Sequence, residues 1–526
     1  MLRRLLDQVL EGLSYIVLRG FFRTVEVVGL ERVPRGRPVL VVANHFYGFV
    51  DPVLLIHTLG RVPRFLAKAS LWRRTVVRPF LALAGLVPVG RGDDHGRRAA
   101  RGDGHGDGGG DGTSGHGDGD ARRAVHAGAH AGDPRDEAHR ARTAAAFARS
   151  ARVLARNGLV ALFPEGTTHD TPRLAPLRTG AARIALHARA AGVRDLMILP
   201  VGLVYDDKMA LRSRALARFV ESIDVDATLP TLDAGDERAL ARQLTAMIQQ
   251  RLRAVSPDYH DLRQAAVLSR AAEIALRGRR GRDGVVPLAD RDGLAQRLAH
   301  APAAVTDRLI DAVGRYVLDL DVMGLRDHHL VSTVSQRALL GALLTTMAQV
   351  VLLAPLALIG LVVNTLPYLL TQAAGRAAAA PVSKGTTRML VALAVFPATW
   401  LTAAWIVTQI SGRGWLAAAG VVLLSAVAGL ATVHSLERTI RLARAWRART
   451  ALRDRRALLS EVRADRERVV AAVTAAVATL GDSATLADDR RGHEDGGPDG
   501  RGSRPADPAG GDAAAGAGGD AASALT

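Results

Sequence analysis

The chain of 526 residues contains no cysteine. That excludes disulfides, thiolate metal sites and a cysteine nucleophile. It also lacks a Gly-x-Ser-x-Gly nucleophile elbow, which removes the commonest hydrolase arrangement. No small-residue cleavage site follows the apolar N-terminal stretch, and Asp7 and Glu11 interrupt it. A secretory signal peptide is therefore a poor description of residues 1–23. They suit an amphipathic helix instead, with Leu2, Leu5, Leu6, Val9, Leu10, Leu13, Ile16 and Val17 on one side. Such a face fits either a membrane surface or the protein's own core.

Charge is missing from three long stretches. None occurs between Arg337 and Arg376, from Met389 to Gly412, or from Gly414 to Leu436. Each exceeds the ~20 residues needed to cross a bilayer core. Three such runs in succession point to membrane integration. Ser411-Gly412-Arg413-Gly414 allows only a tight hairpin between the last two. The first run holds Pro355, Asn364 and Pro367, which suit a kinked, re-entrant or hairpin element. Arg438, Arg441, Arg444, Arg447 and Arg449 follow the third run and should be cytoplasmic by the positive-inside rule. An even number of crossings would keep both flanking regions on that side.

What is abundant is positive charge: 69 Lys and Arg against 51 Asp and Glu give a formal +18. The excess suits a phosphate-bearing partner, an anionic bilayer or a phosphorylated substrate. It also suits a GC-rich genome that writes Arg and Ala wherever it can. The basic residues are dispersed and no nucleic-acid recognition module appears, so a nucleic-acid partner is not expected.

Residues 24–205 alternate strand and helix signals. Strands are predicted at 25–29, 38–43, 86–90, 159–163 and 196–204, and helices at 52–60, 72–84, 140–156 and 178–191. Gly158 and Gly192 stand where the last two helices should stop. The alternation argues for an α/β layer architecture. A tract of Gly, Asp and His, GDGHGDGGGDGTSGHGDGDA, interrupts it. It has too few apolar residues to offset its ordering entropy, and it lacks the regular apolar position of a calcium-roll repeat. The expected organisation is an amphipathic helix (1–23), a catalytic domain (24–234) with a disordered insert (92–139) and a helical extension (235–336). Membrane-embedded helices (337–436), a charged helix (437–480) and a disordered tail (481–526) follow.

The chemistry concentrates in two places. Val41 to Pro52 read VVANHFYGFVDP, a buried strand emptying into a turn with His45 and, six residues on, Asp51. Near working pH a histidine suits general-base work, and a carboxylate on its other ring nitrogen fixes the tautomer. On one continuous helix six steps would turn the two apart by ~600°. His45 must therefore precede the helix, with Gly48 allowing the bend. The second place is Phe163-Pro164-Glu165-Gly166-Thr167-Thr168-His169-Asp170, again after a strand.

Asn44-His45-(x5)-Asp51-Pro52 resembles the first signature block of the glycerophospholipid acyltransferases. Its five-residue spacing is similar to the branch that includes the fungal-type glycerol-3-phosphate/dihydroxyacetone-phosphate acyltransferases. Leu86 to Arg91 resembles the second block. Phe163 to Asp170 with Pro176-Leu177-Arg178-Thr179-Gly180 resembles the third, and Leu199 to Tyr205 the fourth. The resemblance covers roughly residues 25–410. It implies a mixed sheet flanked by helices with a C-terminal membrane region, and an O-acyltransferase with His45 and Asp51 catalytic and no cofactor or metal. Substrate contacts are expected from Asn44, Arg91, Glu165, Gly166, Thr167, Arg178 and Lys68, with Arg91 as a fork for phosphate. The donor would be acyl-CoA or acyl-carrier protein. The acceptor would be glycerol 3-phosphate, dihydroxyacetone phosphate or lysophosphatidate. His169-Asp170 reads as turn chemistry. The implied setting is multi-pass in a membrane, expected to be a bacterial plasma membrane, with the catalytic domain cytoplasmic and membrane lipids as neighbours. Two alternatives stay open at this point: another lyso-lipid or glycolipid acceptor, and a non-catalytic lipid-binding scaffold.

Overall fold

The computed structural model describes residues 2–68, 85–89, 134–208, 210–232, 235–279, 285–331, 336–378, 381–454 and 456–494. The helix expected over 72–84, most of the insert, Arg91 and the tail beyond 494 lie outside the described residues. Met1–Val477 form one compact unit and Ala478–Thr526 another.

Helix α1 (Leu2–Phe21) leads into β1 (Phe22–Val28), followed by β2 (Val39–Ala43), α2 (Val50–Leu59), β3 (Arg64–Lys68) and β4 (Val87–Val89). Then come α3 (Pro134–Leu154), β5 (Leu159–Leu162), α4 (Gly180–Ala190), β6 (Met197–Tyr205), β7 (Ser213–Phe219), β8 (Ile223–Asp224) and the short α5 (Val225–Thr228). Among the described residues the strands form one eight-stranded sheet in the order β1-β7-β6-β2-β5-β3-β4, with β8 on β6. β6, β2, β5, β3 and β4 run parallel, while β7 lies antiparallel to β6 and parallel to β1. The alternation led one to expect an α/β layer architecture, and the resemblance implied the mixed sheet flanked by helices seen here.

The two-residue period of β2 explains how the sheet buries both faces. Val39, Val41 and Ala43 enter one core with residues of α1 and α2, whereas Leu40 and Val42 enter the other with α3 and α4. Three strands escaped the sequence reading, β3, β7 and the two-residue β8. β7 carries Arg214 and Arg218, which look solvated in isolation. Arg214 instead pairs with Asp206 at 3.0 Å and Arg218 with Asp292 at 3.1 Å. The helix after the insert also starts earlier than expected, at Pro134, so the insert is shorter than 92–139.

Helix α6 (Glu237–Arg253) backs the sheet. Beyond it lie α7 (Leu262–Arg279), α8 (Leu288–Ala299), α9 (Ala303–Val322) and α10 (Asp327–Val331). α8 docks on the sheet edge, where both carboxylate oxygens of Glu26 accept the backbone N–H groups of Leu288 and Ala289 at 2.8 and 3.0 Å. That interaction supplies acceptors for two of the orphan donors that open any helix.

Three helices follow that are long and apolar enough to cross a membrane: α11 (Gln336–Ala377), α12 (Pro381–Ser411) and α13 (Trp415–Asp454). α11 is continuous through Pro355 and Pro367, with no hairpin. Asn364 ties the three together. Its amide nitrogen donates to the carbonyls of Gly360 at 3.0 Å and Ser425 at 3.1 Å, and its oxygen accepts from Trp400 Nε1 at 2.8 Å. α13 does not stop at 436 but runs on into the charged segment. α14 (Arg456–Glu494) then places Leu459, Val462, Val469 and Val473 in the same core as α7, α8 and α9. At the centre of that core, Asp327 accepts from Arg277, Arg466 and the Tyr316 hydroxyl at 2.7–2.8 Å.

Candidate active site

Three neighbouring parallel strands, β6, β2 and β5, end side by side, and the chain leaving each carries a functional side chain. β2 empties into Asn44 and His45, β5 into Phe163 and Glu165, and β6 ends on Tyr205. Carboxyl ends of parallel strands are where α/β sheets hold ligands, because the backbone there turns away and leaves a crevice.

The turn from His45 to Asp51 is fixed from several sides. Gly48 takes the left-handed conformation at φ +58°, so the chain reverses before α2 begins. Asp51 then sits in the first helical turn, fully buried. One of its oxygens, Oδ2, accepts from the His45 ring at Nδ1 and from the Tyr47 backbone N–H, both at 2.9 Å. The other, Oδ1, accepts the Tyr205 hydroxyl at 2.5 Å. A buried carboxylate is tolerated only when its lone pairs are taken up in this way. The His45 ring lies on Phe163, centroids 4.2 Å apart and planes 13° from parallel. Its Nε2 has no partner among the described residues.

Two phenols complete the apolar wall. Burial, reinforced by the Asp51 charge, pushes Tyr205 well above the usual tyrosine range. Burial likewise raises Tyr47 to about 12; Arg388 opposes the shift, while Asp207 and Asp51 add to it. Both stay protonated donors at any working pH. Tyr47 in turn packs edge-on against Tyr205, 5.0 Å between centroids, and donates to the Lys208 carbonyl.

Glu165 is also buried. It accepts from the His45 backbone N–H through Oε1 at 2.7 Å, from the Ala175 N–H through Oε2 at 2.9 Å, and from His169 Nε2. The expectation that it orients an arginine or an acceptor hydroxyl gives way here to a scaffold role. Asn44 is similar. Its amide exchanges two bonds with the Leu203 backbone, at 2.9 and 2.7 Å, and is fully buried. It prolongs the β2–β6 ladder inside the core. His169 and Asp170 do not pair with each other. His169 serves Glu165 and Thr171, while Asp170 meets Lys208 at 3.2 Å.

Gly166 is at φ +76°, and Arg178 lies directly over it, with Cδ and Nε 3.1 Å from where a β-carbon would stand. Thr167 is exposed beside them. Lys68 closes β3, and Arg91 lies outside the described residues. The structure thus brings His45, Asp51, Glu165, Gly166 and Arg178 to one end of the sheet, and adds Tyr205, Tyr47 and Lys208. Tyr205 closes the fourth block of the sequence, and only that position could have drawn attention to it.

A histidine–carboxylate pair at the end of a parallel strand, with one ring nitrogen open, is the apparatus of proton abstraction from a hydroxyl. Residues 24–204 match the family model described as Acyltransferase. The chain is similar to an uncharacterized acyltransferase of Schizosaccharomyces pombe, at 27 % identity over 298 residues, 47 % of this chain and 44 % of that protein. It is similar to glycerol-3-phosphate O-acyltransferase 2 of Saccharomyces cerevisiae, at 36 % identity over 20 % of this chain and 15 % of that one. Glycerol-3-phosphate O-acyltransferase 1 of the same yeast is 25 % identical over 43 % and 36 %. The chain spans less than half the length of the curated relatives it matches. Among solved structures, the 1-acyl-sn-glycerophosphate (LPA) acyltransferase PlsC from Thermotoga maritima matches at a TM-score of 0.29 and 16 % identity. That match covers 46 % of this chain and 78 % of that one.

Proposed function

We propose that the chain is a membrane-bound O-acyltransferase of phospholipid biosynthesis. It moves a fatty acyl group from acyl-CoA or acyl-carrier protein to a hydroxyl of glycerol 3-phosphate, dihydroxyacetone phosphate or lysophosphatidate. The observation that carries this reading is the His45 ring, held at Nδ1 by Asp51 and open at Nε2. The ionised carboxylate can only accept, so the ring proton sits on Nδ1 and Nε2 is the basic nitrogen.

Nε2 takes the acceptor's hydroxyl proton as its oxygen attacks the thioester carbonyl. The tetrahedral intermediate collapses with cleavage of the C–S bond, and the imidazolium returns the proton to the departing thiolate. Asp51 stabilises the imidazolium between these steps without itself taking the proton. General-base assistance of this kind contributes on the order of 10² to 10⁴ in rate. Arg178, Lys68 and Arg91 supply cations for the acceptor's phosphate, with Gly166 and Thr167 beside it.

The three apolar helices give the reason for a membrane setting: a long acyl chain partitions into lipid at ~0.8 kcal/mol per CH₂. The Arg-rich end of α13 favours a cytoplasmic catalytic domain. The test is product analysis of the detergent-purified protein and its His45→Ala form with a long-chain acyl-CoA and each acceptor in turn. A His45-dependent acylated product supports the reading. Equal product from both forms removes His45 from the base role.

A further inference from the structure

Of the backbone N–H groups in the turn from His45 to Asp51, three donate to side chains. His45 donates to Glu165, Tyr47 to Asp51, and Phe49 to the hydroxyl oxygen of Thr386 at 3.0 Å. The first two acceptors belong to the domain of residues 24–204. The third stands 337 positions along the chain from its donor, in the first turns of the membrane-length helix α12.

The fit between α12 and the turn is close at every position. Thr386 occupies the space a side chain on Gly48 would need, and Gly48 is the left-handed residue on which the reversal depends. One residue earlier, the Tyr47 ring lies against Gly385 where a β-carbon would project, so only glycine admits it. One turn later, Met389 is buried in the same core as Val41, Ala43, Val50 and Leu54, with Ala392 packed on its edge. Thus α12 covers a stretch of the sheet's core directly under the strand that delivers His45.

We infer that Gly385 and Thr386 are positioning residues of the catalytic site, acting on His45 and Asp51 through the Tyr47–Phe49 turn. The inference rests on the reading of His45 as general base. The physical reason is specific. Phe49 precedes α2, and its N–H direction fixes where the helix carrying Asp51 starts. Tyr47 carries the N–H that holds Asp51 and packs on Tyr205, the third donor to that carboxylate. A displacement of the turn therefore moves the base and its carboxylate together, and misplacement by ~1 Å is enough to cost ~10²-fold in rate. The membrane region is in this sense part of the catalytic apparatus and not only an anchor.

The experiment uses the full chain in detergent, with Thr386→Val, Thr386→Ser, Gly385→Ala and His45→Ala compared by steady-state kinetics and thermal unfolding. Thr386→Val keeps the shape and removes the acceptor. It should lower kcat about 10- to 100-fold with the donor and acceptor KM little changed, and Thr386→Ser should restore most of the loss. Gly385→Ala pushes on Tyr47 and should reproduce the kcat effect, which keeps the test decisive if the valine form does not fold. Wild-type kcat in folded Thr386→Val or Gly385→Ala, beside an inactive His45→Ala, overturns the inference and leaves the base reading standing. A serine form as slow as the valine form also overturns it. Turnover by His45→Ala overturns both.

Discussion

Tyr205 donates its hydroxyl to Oδ1 of Asp51 at 2.5 Å, the carboxylate oxygen that His45 does not use. The phenol and the imidazole thus hold the carboxylate from its two ends, and the orientation of His45 depends on a residue 160 positions away. Tyr205→Phe keeps the ring that packs on Tyr47 and Phe22 and removes only the donor. A hydrogen bond to a buried charge is worth about 1.5–3 kcal/mol, so kcat should fall about 10- to 100-fold. Asp51→Asn should cost more, about 10⁴, because the amide can favour the wrong tautomer. Equal rates for Tyr205→Phe and wild type would show that two donors suffice.

Glu165 gives a second test, because its partners are backbone groups on both sides of the site. In Glu165→Gln one carboxylate oxygen becomes an amide NH2 group that faces an N–H of His45 or Ala175. That leaves a buried donor without an acceptor, at a cost of about 1–3 kcal/mol. The melting temperature and kcat should both fall while the acceptor KM changes little. A selective rise in acceptor KM would instead put Glu165 in direct contact with substrate.

The sequence revealed more of the apparatus than of its supports. The strand at 38–43 was legible because Val39 to Ala43 are apolar without a break, as a strand buried on both faces requires. His45 and Asp51 were legible because the reactive residue types stand six apart at the strand's end. The bonds that hold them were not. Glu165 to the His45 N–H, Asn44 to Leu203 and Thr386 to the Phe49 N–H all involve backbone groups, which every residue possesses and no pattern marks. β7 was missed for a related reason. Arg214 and Arg218 acquire Asp206 and Asp292 as partners only when distant chain arrives, and burial of Asp206 is then outweighed by Arg291 and Arg214, which hold its carboxyl below the usual range.

Alkaline titration offers a third prediction. Tyr47 is raised to about 12, and Tyr205, Tyr259 and Tyr316 are raised as well, in each case first by burial, with neighbouring carboxylates adding to it. The folded state therefore favours the protonated phenol. This stabilisation is complete below the ordinary tyrosine value of ~10 and is lost as pH rises through the folded values. Absorbance at 295 nm and helicity, followed together, should show these four phenols ionising with the cooperative loss of structure. Four tyrosinates in a fully helical protein near pH 10 would contradict the burial seen here.

The last prediction concerns how the chain meets the membrane. α9 precedes the apolar helices and α14 follows them, yet Leu309 and Val313 share a core with Val469 and Val473, and Arg466 of α14 binds Asp327 of α10 at 2.8 Å. A shared core predicts that both flanks lie on one side of a bilayer, since an odd number of complete crossings would separate them. α12 and α13 both touch the domain that holds the sheet, through Thr386 to Phe49 and through Glu437 to Arg212 at 2.7 Å. We predict that these two form a pair of crossings joined at Ser411 to Gly414. The prediction is that α11 does not cross completely. At 42 residues it is about 63 Å long, twice the ~30 Å of a hydrocarbon core. The absence of cysteine makes the arrangement measurable without background. In sealed vesicles an impermeant maleimide should reach Ala303→Cys and Ala471→Cys from one side and Ser411→Cys from the other. Labelling of Ala303→Cys and Ala471→Cys from opposite sides would break the shared core and require three full crossings.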